Sequence, residues 1–190
     1  PMDGRFGSGP SKVRKDALDS LAATGSRFLG TSHRKSTVKN QVHRLQNGLS
    51  DLFQLPDDWE ILLGNGGTTL FWDAASFGLI ENRSQHLTFG EFSAKFATVI
   101  SHAPHLAAPE IIESLPGTHP LSTPSNVDSY ALTHNETSTG VMVSPSRPSK
   151  DGLVLVDATS AAGAASWESD EVDCYYFAPQ KALASDGGLW

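Results

Sequence analysis

The chain has 190 residues, 38% of them hydrophobic and 18% charged, with a formal net charge of −7 and a pI near 5.4. That size buries one substantial core in a single domain with room for an appendage, and the acidic excess argues against a nucleic-acid partner, whose phosphates call for a basic surface. No apolar run approaches a membrane span, no signal-peptide pattern is visible, and a single cysteine, Cys174, allows neither an intrachain disulfide nor a thiolate zinc cluster, so no metal site is expected and the cytoplasm is the expected compartment.

The opening is irregular and glycine-rich through Pro10, and Ser11 is positioned to cap a helix running to about Thr24, with Val13, Ala17, Leu18 and Leu21 on one face. A loop at Gly30–Arg34 leads to the clearest helical signal of the chain. Val38, Val42, Leu45, Leu49 and Leu52 recur at steps of four and three, a stripe suited to packing on a sheet or a subunit partner. Glu60–Leu63 reads as a strand feeding the turn Gly64-Asn65-Gly66-Gly67-Thr68-Thr69, and Leu70–Leu79 as the helix that follows: a βα unit.

Farther on, His86–Phe89 is a short strand broken at Gly90, and Glu91–Ile100 a helix. Residues 101–126 are a proline- and serine-rich connection, in which Ile111 and Ile112 suggest an isolated strand. Ser129–Thr133 is a buried strand running into His134-Asn135-Glu136-Thr137 and a turn at Gly140. The apolar run Leu153–Val156 ends in Asp157, and Tyr175–Gln180, with Cys174 as a buried structural thiol before it, delivers Lys181. Alternating β and α elements predict an α/β fold, a mainly parallel doubly wound sheet flanked by helices, with its ligand at the strand C-terminal ends.

Three motifs carry chemistry. The turn through Gly67, Thr68 and Thr69 offers backbone N–H groups, hydroxyls and the positive end of a helix dipole, which suits a phosphate and equally suits a plain tight turn. It lacks a P-loop lysine and the spacing of a dinucleotide fingerprint. Asp157 at a strand end is open to three readings: a cofactor partner, a helix cap or a metal ligand. Lys181 alone would be a surface charge. In chain order, however, a phosphate cradle, an acid and a lysine at strand ends suit pyridoxal 5′-phosphate: the amine condenses with the cofactor aldehyde, and the carboxylate keeps the pyridine nitrogen protonated.

The residues also carry a family resemblance. Phe6-Gly-Ser-Gly-Pro10, Gly30-Thr-Ser-His-Arg34, Gly64-Asn-Gly-Gly-Thr-Thr69, Phe89-Gly-Glu-Phe-Ser93, His134-Asn-Glu-Thr-Ser-Thr-Gly140, Asp157-Ala-Thr-Ser160 and Phe177-Ala-Pro-Gln-Lys-Ala-Leu-Ala-Ser-Asp-Gly-Gly188 stand in order along the chain. In this it resembles the actinobacterial phosphoserine aminotransferases, class V enzymes of fold type I. The resemblance implies Lys181 as the catalytic amine, Asp157 on the pyridine nitrogen and Phe92 stacked on the ring. It places Gly67, Thr68, Thr69 and Gln180 on the phosphate and Thr137 near the phenolic oxygen. Ser8, His33 and Arg34 take the substrate positions, the guanidinium matching a carboxylate or phosphate bidentately. The implied reaction moves the amino group of L-glutamate to 3-phosphohydroxypyruvate in serine biosynthesis, in a homodimer.

Two departures stand out: Ala182 where many members have asparagine, and Thr68 where several have histidine or arginine. The resemblance also implies that residues 1–30 form an N-terminal segment and residues 31–190 an incomplete cofactor domain, with the small C-terminal domain absent. An inactive or partner-dependent fragment is therefore a second reading, with Leu189 and Trp190 expected to be exposed beside an unpaired sheet edge. Another class V enzyme is a third, although a cysteine desulfurase would need a thiol on a mobile loop rather than Cys174.

Overall fold

The computed structural model describes residues 7–190. Phe6 of the opening motif lies outside them. Five strands form an all-parallel sheet: β1 (Ser84–Thr88), β2 (Glu110–Glu113), β3 (Ser129–Thr133), β6 (Leu153–Asp157) and β7 (Cys174–Tyr176), in the order β2-β1-β3-β6-β7. A two-stranded antiparallel ribbon, β4 (Asn135–Glu136) with β5 (Val141–Met142), follows β3. The helices are α1 (Lys15–Thr24), α2 (Ser36–Phe53), α3 (Thr68–Gly78) and α4 (Glu91–Ser101).

The expected parallel sheet is present, and its burial follows from the apolar runs. Every residue of β1 and β3 is buried, as in strands covered on both faces, while edge strand β2 alternates between half-buried and exposed. On one face Phe71, Trp72 and Ala75 of α3 and Phe96 and Ile100 of α4 pack on Ala131, Leu155 and Tyr176. On the other, Leu132, Val154 and Val156 meet Val172, with Trp59, Trp167 and the ribbon residue Val141 beside them. Full burial of Leu155 or Val156 is worth about 1.5–3 kcal/mol each. Trp72 Nε1 donates to the Tyr176 hydroxyl at 3.1 Å, satisfying two polar atoms inside the helix-covered face.

Strand order reverses beside β1. The chain leaves β1 through α4 to β2 on one side, then returns to β3 on the other. In open parallel sheets such a reversal opens a crevice beyond the strand C-termini. Here those ends carry Thr88, Thr133, Asp157 and Tyr176, with Asp157 opposite Thr133 on one side and Tyr176 on the other.

Several expectations are corrected. Ser11 caps no helix: its N–H donates to the Gln180 carbonyl at 2.7 Å and its hydroxyl to the Lys181 carbonyl, so α1 starts only at Lys15. Glu60–Leu63 joins no ladder; the chain makes only a short antiparallel contact farther on, where Gly64 and Trp190 exchange N–H···O bonds of 2.8 Å and Asn65 bridges Leu189. That contact half-buries Leu189 and Trp190, which were expected to be exposed, and sets Trp190 edge-on to Phe71 at 5.2 Å. Ile111 and Ile112 are not isolated but form the edge strand of the sheet. β7 ends at Tyr176, so Lys181 follows a four-residue irregular segment rather than a strand. Cys174 is partly rather than fully buried, packed against the helix-side core, and burial with Asp173 nearby pushes its thiol up to about 12. The stripe of α2 exists, but none of its residues is fully buried.

Candidate functional site

Asp157 ends β6, only 7% exposed. The chain turns immediately after it, so that the Thr159 N–H and hydroxyl both reach Asp157 Oδ1, at 2.9 and 2.6 Å. No basic side chain pairs with Asp157 among the described residues, and burial, reinforced by the charge of Glu136, raises its carboxyl above the ordinary aspartate range despite the two bonds from Thr159. A buried carboxylate in this state is stabilised by any cation brought to it.

The Thr159 hydroxyl also lies 3.0 Å from that of Thr68, the first residue of α3. A hydroxyl has one proton to give. With Asp157 ionised, Thr159 donates to the carboxylate and accepts from Thr68, so the relay Thr68–Thr159–Asp157 ties the glycine turn to the acid. Thr68 is buried, while Gly67 and Thr69 are exposed. Gly67, at the N-cap position, supplies no side-chain cap, and the first N–H groups of α3 have few protein acceptors, the Leu70 N–H to Gly67 carbonyl bond of 3.0 Å being one of the first. An eleven-residue helix with an exposed, uncapped N-terminus has the chemistry to receive an anion.

Ser160 extends the network. Its hydroxyl accepts from Thr137 Oγ1 at 2.8 Å and from Asn135 Nδ2 at 2.7 Å, fastening the ribbon to the segment after β6. Glu136 lies in the same ribbon, fully buried, and its carboxylate accepts from the N–H groups of Phe92 (3.4 Å) and Ser93 (2.9 Å) and from the hydroxyls of Ser93 and Ser138 (both 2.8 Å). These bonds hold its carboxyl below the usual glutamate range against the opposing effect of burial. Phe92 is 38% exposed in the first turn of α4, with the Lys95 ammonium 5.7 Å from its ring centre.

Lys181 belongs to a second cluster at the same end of the sheet. Its Nζ donates to the Ser8 carbonyl at 2.6 Å, and Gly9, at φ +126°, passes so close that a Cβ there would stand 2.7 Å from Nζ. The Ser11 bonds clamp the backbone of Gln180 and Lys181 from the same segment. Gln180 Oε1 is buried without a partner among the described residues, an amide oriented but unsatisfied. Pairing of β6 with β7 sets Asp157 beside Tyr176, from which the chain runs on to Lys181.

Of the residues singled out in the sequence, one hydrogen-bonded network therefore joins Thr68 to Asp157; Thr137 attaches to the same turn through Ser160, and Phe92 to the same ribbon through Glu136. Another joins Ser8 to Lys181 and Gln180. His33 and Arg34 are not drawn into either: both lie on the exposed turn before α2, and neither side chain bonds another described residue. Sequence reading missed Thr159, Ser160 and Glu136. Thr159 and Ser160 were detectable as hydroxyls immediately after a strand-end acid, and Glu136 as a lone carboxylate in an otherwise polar, uncharged turn.

No group of three or more metal-ligating side chains occurs among the described residues, and no described helix is long and apolar enough to cross a membrane. No family model matches the chain. It is 57% identical over 195 aligned residues to a phosphoserine aminotransferase of Nocardioides, covering 100% of this chain and 52% of that protein. The fold matches a phosphoserine aminotransferase of Cytophaga hutchinsonii with a TM-score of 0.88 at 24% identity, covering 96% of this chain and 53% of the other. It also matches the pyridoxal-phosphate-bound phosphoserine aminotransferase of Trichomonas vaginalis, with a TM-score of 0.76 at 20% identity, covering 97% and 55%. The chain spans about half the length of the curated relatives it matches. Along its whole length the chain corresponds in sequence to about half of the phosphoserine aminotransferases it matches, and in fold to solved aminotransferases.

Proposed function

We propose that this chain forms the pyridoxal-5′-phosphate site of a phosphoserine aminotransferase, which moves the amino group of L-glutamate to 3-phosphohydroxypyruvate and releases O-phospho-L-serine and 2-oxoglutarate. The observation that carries this reading is the relay Thr68–Thr159–Asp157, which couples an uncapped helix N-terminus to a buried carboxylate that has no cationic partner among the described residues. A phosphate and a protonated pyridine nitrogen satisfy those two ends. When bound, the cofactor supplies an aldehyde for the amino group and a ring that takes up the electron pair released at the substrate Cα.

The protein's own residues do the rest. The N–H groups from Gly67 to Thr69, with the Thr69 hydroxyl and the Gln180 amide, hold the phosphate. Thr68 contributes its N–H, because its hydroxyl proton is committed to Thr159. Asp157 would keep the ring nitrogen protonated, Phe92 would cover the ring, and Thr137 would bond at the phenolic oxygen. Lys181 Nζ, held by the Ser8 carbonyl, would be the amine that tethers the cofactor and the group that takes up and returns the proton at the substrate Cα. Arg34, with His33 and Ser8, receives the acidic groups of the substrates. In this reading residues 31–190 are the cofactor domain, residues 1–30 an N-terminal segment whose Ser8 and Ser11 meet Lys181, and the enzyme a cytoplasmic homodimer of serine biosynthesis.

An absorbance spectrum with added pyridoxal phosphate tests it. A visible band that requires Lys181 and bleaches with L-glutamate is the expected result; no band, or one kept by Lys181→Ala, overturns it. A site completed by a partner chain is the second reading, favoured by the lack of side-chain bonds from His33 and Arg34 to any described residue on their exposed turn. A band that develops only as sedimentation shows association would select it.

A further inference from the structure

We propose that Glu136 is a positioning residue of the cofactor site, fixing the first turn of α4 and, through it, the direction of the Phe92 ring; this rests on the reading above. The first turn of a helix leaves N–H groups without intrahelical acceptors, and Gly90 at the N-cap of α4 has no side chain to serve them. Glu136 takes over from another element. Its Oε2 accepts from the Ser93 N–H and hydroxyl, and its Oε1 from the Phe92 N–H and from the Ser138 N–H and hydroxyl.

The two hydroxyls act as adaptors. Each gives its proton to the carboxylate and receives an N–H: Ser93 from Phe89 at 3.1 Å, Ser138 from Glu91 at 2.9 Å. Every N–H from Phe89 to Ser93 except that of Gly90 is thus held by Glu136 directly or through one hydroxyl. There is little slack, because a Cβ on Gly90 would lie 2.4 Å from Glu136 Cγ and 2.5 Å from Ser138 Oγ. The negative charge also sits at the positive end of the α4 dipole.

Phe92 is the residue in this turn whose direction depends most on the clamp. Its ring is more than a third exposed and joins none of the buried core clusters, so its backbone anchoring decides where it points. An aromatic ring covers a cofactor only when held within a fraction of an ångström of the stacking geometry, and that demands a fixed backbone behind it. Among the described residues the buried carboxylate of Glu136 is met by this turn and by Ser138, and by no basic side chain.

The test is a double-mutant cycle read as the dissociation constant for pyridoxal phosphate, with amide hydrogen exchange of the segment Phe89–Ser93 alongside. Glu136→Gln keeps the shape and removes the charge. We expect it to weaken cofactor binding about tenfold, to accelerate exchange in that segment at least tenfold, and to add nothing to the loss caused by Phe92→Leu. Additive losses in the double variant, or unchanged affinity in Glu136→Gln, overturn the proposal. Should Glu136→Gln not fold, Ser93→Ala removes one adaptor and keeps the carboxylate; an affinity loss of about threefold that disappears in the Phe92→Leu background supports the proposal, and a loss that persists there overturns it. A wild-type protein that binds no pyridoxal phosphate overturns the functional reading instead, a result distinct from binding that is indifferent to Glu136.

Discussion

Thr159 stands between Asp157 and Thr68, its hydroxyl 2.6 Å from the carboxylate of one and 3.0 Å from the hydroxyl of the other. The acid and the glycine turn are far apart in the sequence, and this one side chain makes them a unit. Thr159→Val keeps the shape and removes the hydroxyl, leaving the Thr159 N–H as the protein donor to Asp157. A hydrogen bond to a charged acceptor is worth about 1.5–3 kcal/mol, so pyridoxal phosphate affinity should fall roughly 10- to 100-fold. A Thr159→Ser variant restores the hydroxyl and should recover most of the loss in the same binding titration.

Asp157 and Glu136 should move stability in opposite directions with pH. Burial raises Asp157, so the folded state takes up its proton more readily than the unfolded chain does. Its contribution is fully present below the ordinary aspartate value, about 3.9, and is lost as pH rises through the folded value. Glu136 is held low by its hydrogen bonds, so its contribution is present above the ordinary glutamate value, about 4.3, and is lost as pH falls through the folded value. Asp157→Asn should therefore raise the cofactor-free melting temperature at neutral pH while abolishing cofactor binding. Glu136→Gln should lower it at neutral pH, with the gap to wild type closing in acid. Thermal melts of both variants from pH 3 to pH 8 check the two signs together.

The apolar runs made the sheet legible. Leu153–Val156 and Ser129–Thr133 could only be strands buried on both faces, and the acid at the end of one of them followed directly. Other features escaped because they depend on contacts distant in sequence. Glu60–Leu63 has strand composition but no neighbouring ladder to join, and Ser11 looks like a helix cap until Gln180 and Lys181 arrive 170 residues later to claim it. The Glu136 clamp escaped for the same reason, since its partners lie on α4, more than 40 residues earlier. At the site, the motifs picked out Thr68, Thr137 and Asp157 as candidates; the hydroxyls that connect them became visible only in three dimensions.

Gly9 should accept a side chain only by displacing Lys181. Its φ of +126° already disfavours an L-residue, and a methyl group would meet Lys181 Nζ at 2.7 Å and Cδ at 2.9 Å. Such backbone strain costs of order 1–3 kcal/mol. The far end of a lysine is free to swing away, so Gly9→Ala should displace the amine more than it unfolds the chain. The expected signature is a melting temperature within a few degrees of wild type with a much slower appearance of the visible cofactor band, measured by stopped-flow mixing.

Arg34 provides the cleanest separation of recognition from folding. Its side chain is exposed and bonds no other described residue, so Arg34→Ala should change stability by no more than about 0.5 kcal/mol. Cofactor affinity should also be unchanged, because the phosphate is assigned to α3 and Gln180. A guanidinium that receives the acidic group of a substrate makes a charge-assisted bidentate pair, and losing it should raise KM for the phosphorylated acceptor at least tenfold. Steady-state kinetics with 3-phosphohydroxypyruvate, beside a cofactor titration and a thermal melt of the same preparation, separate the outcomes. A fall in all three together would mean that Arg34 supports the fold, and the turn before α2 would lose its assignment as a substrate-binding element.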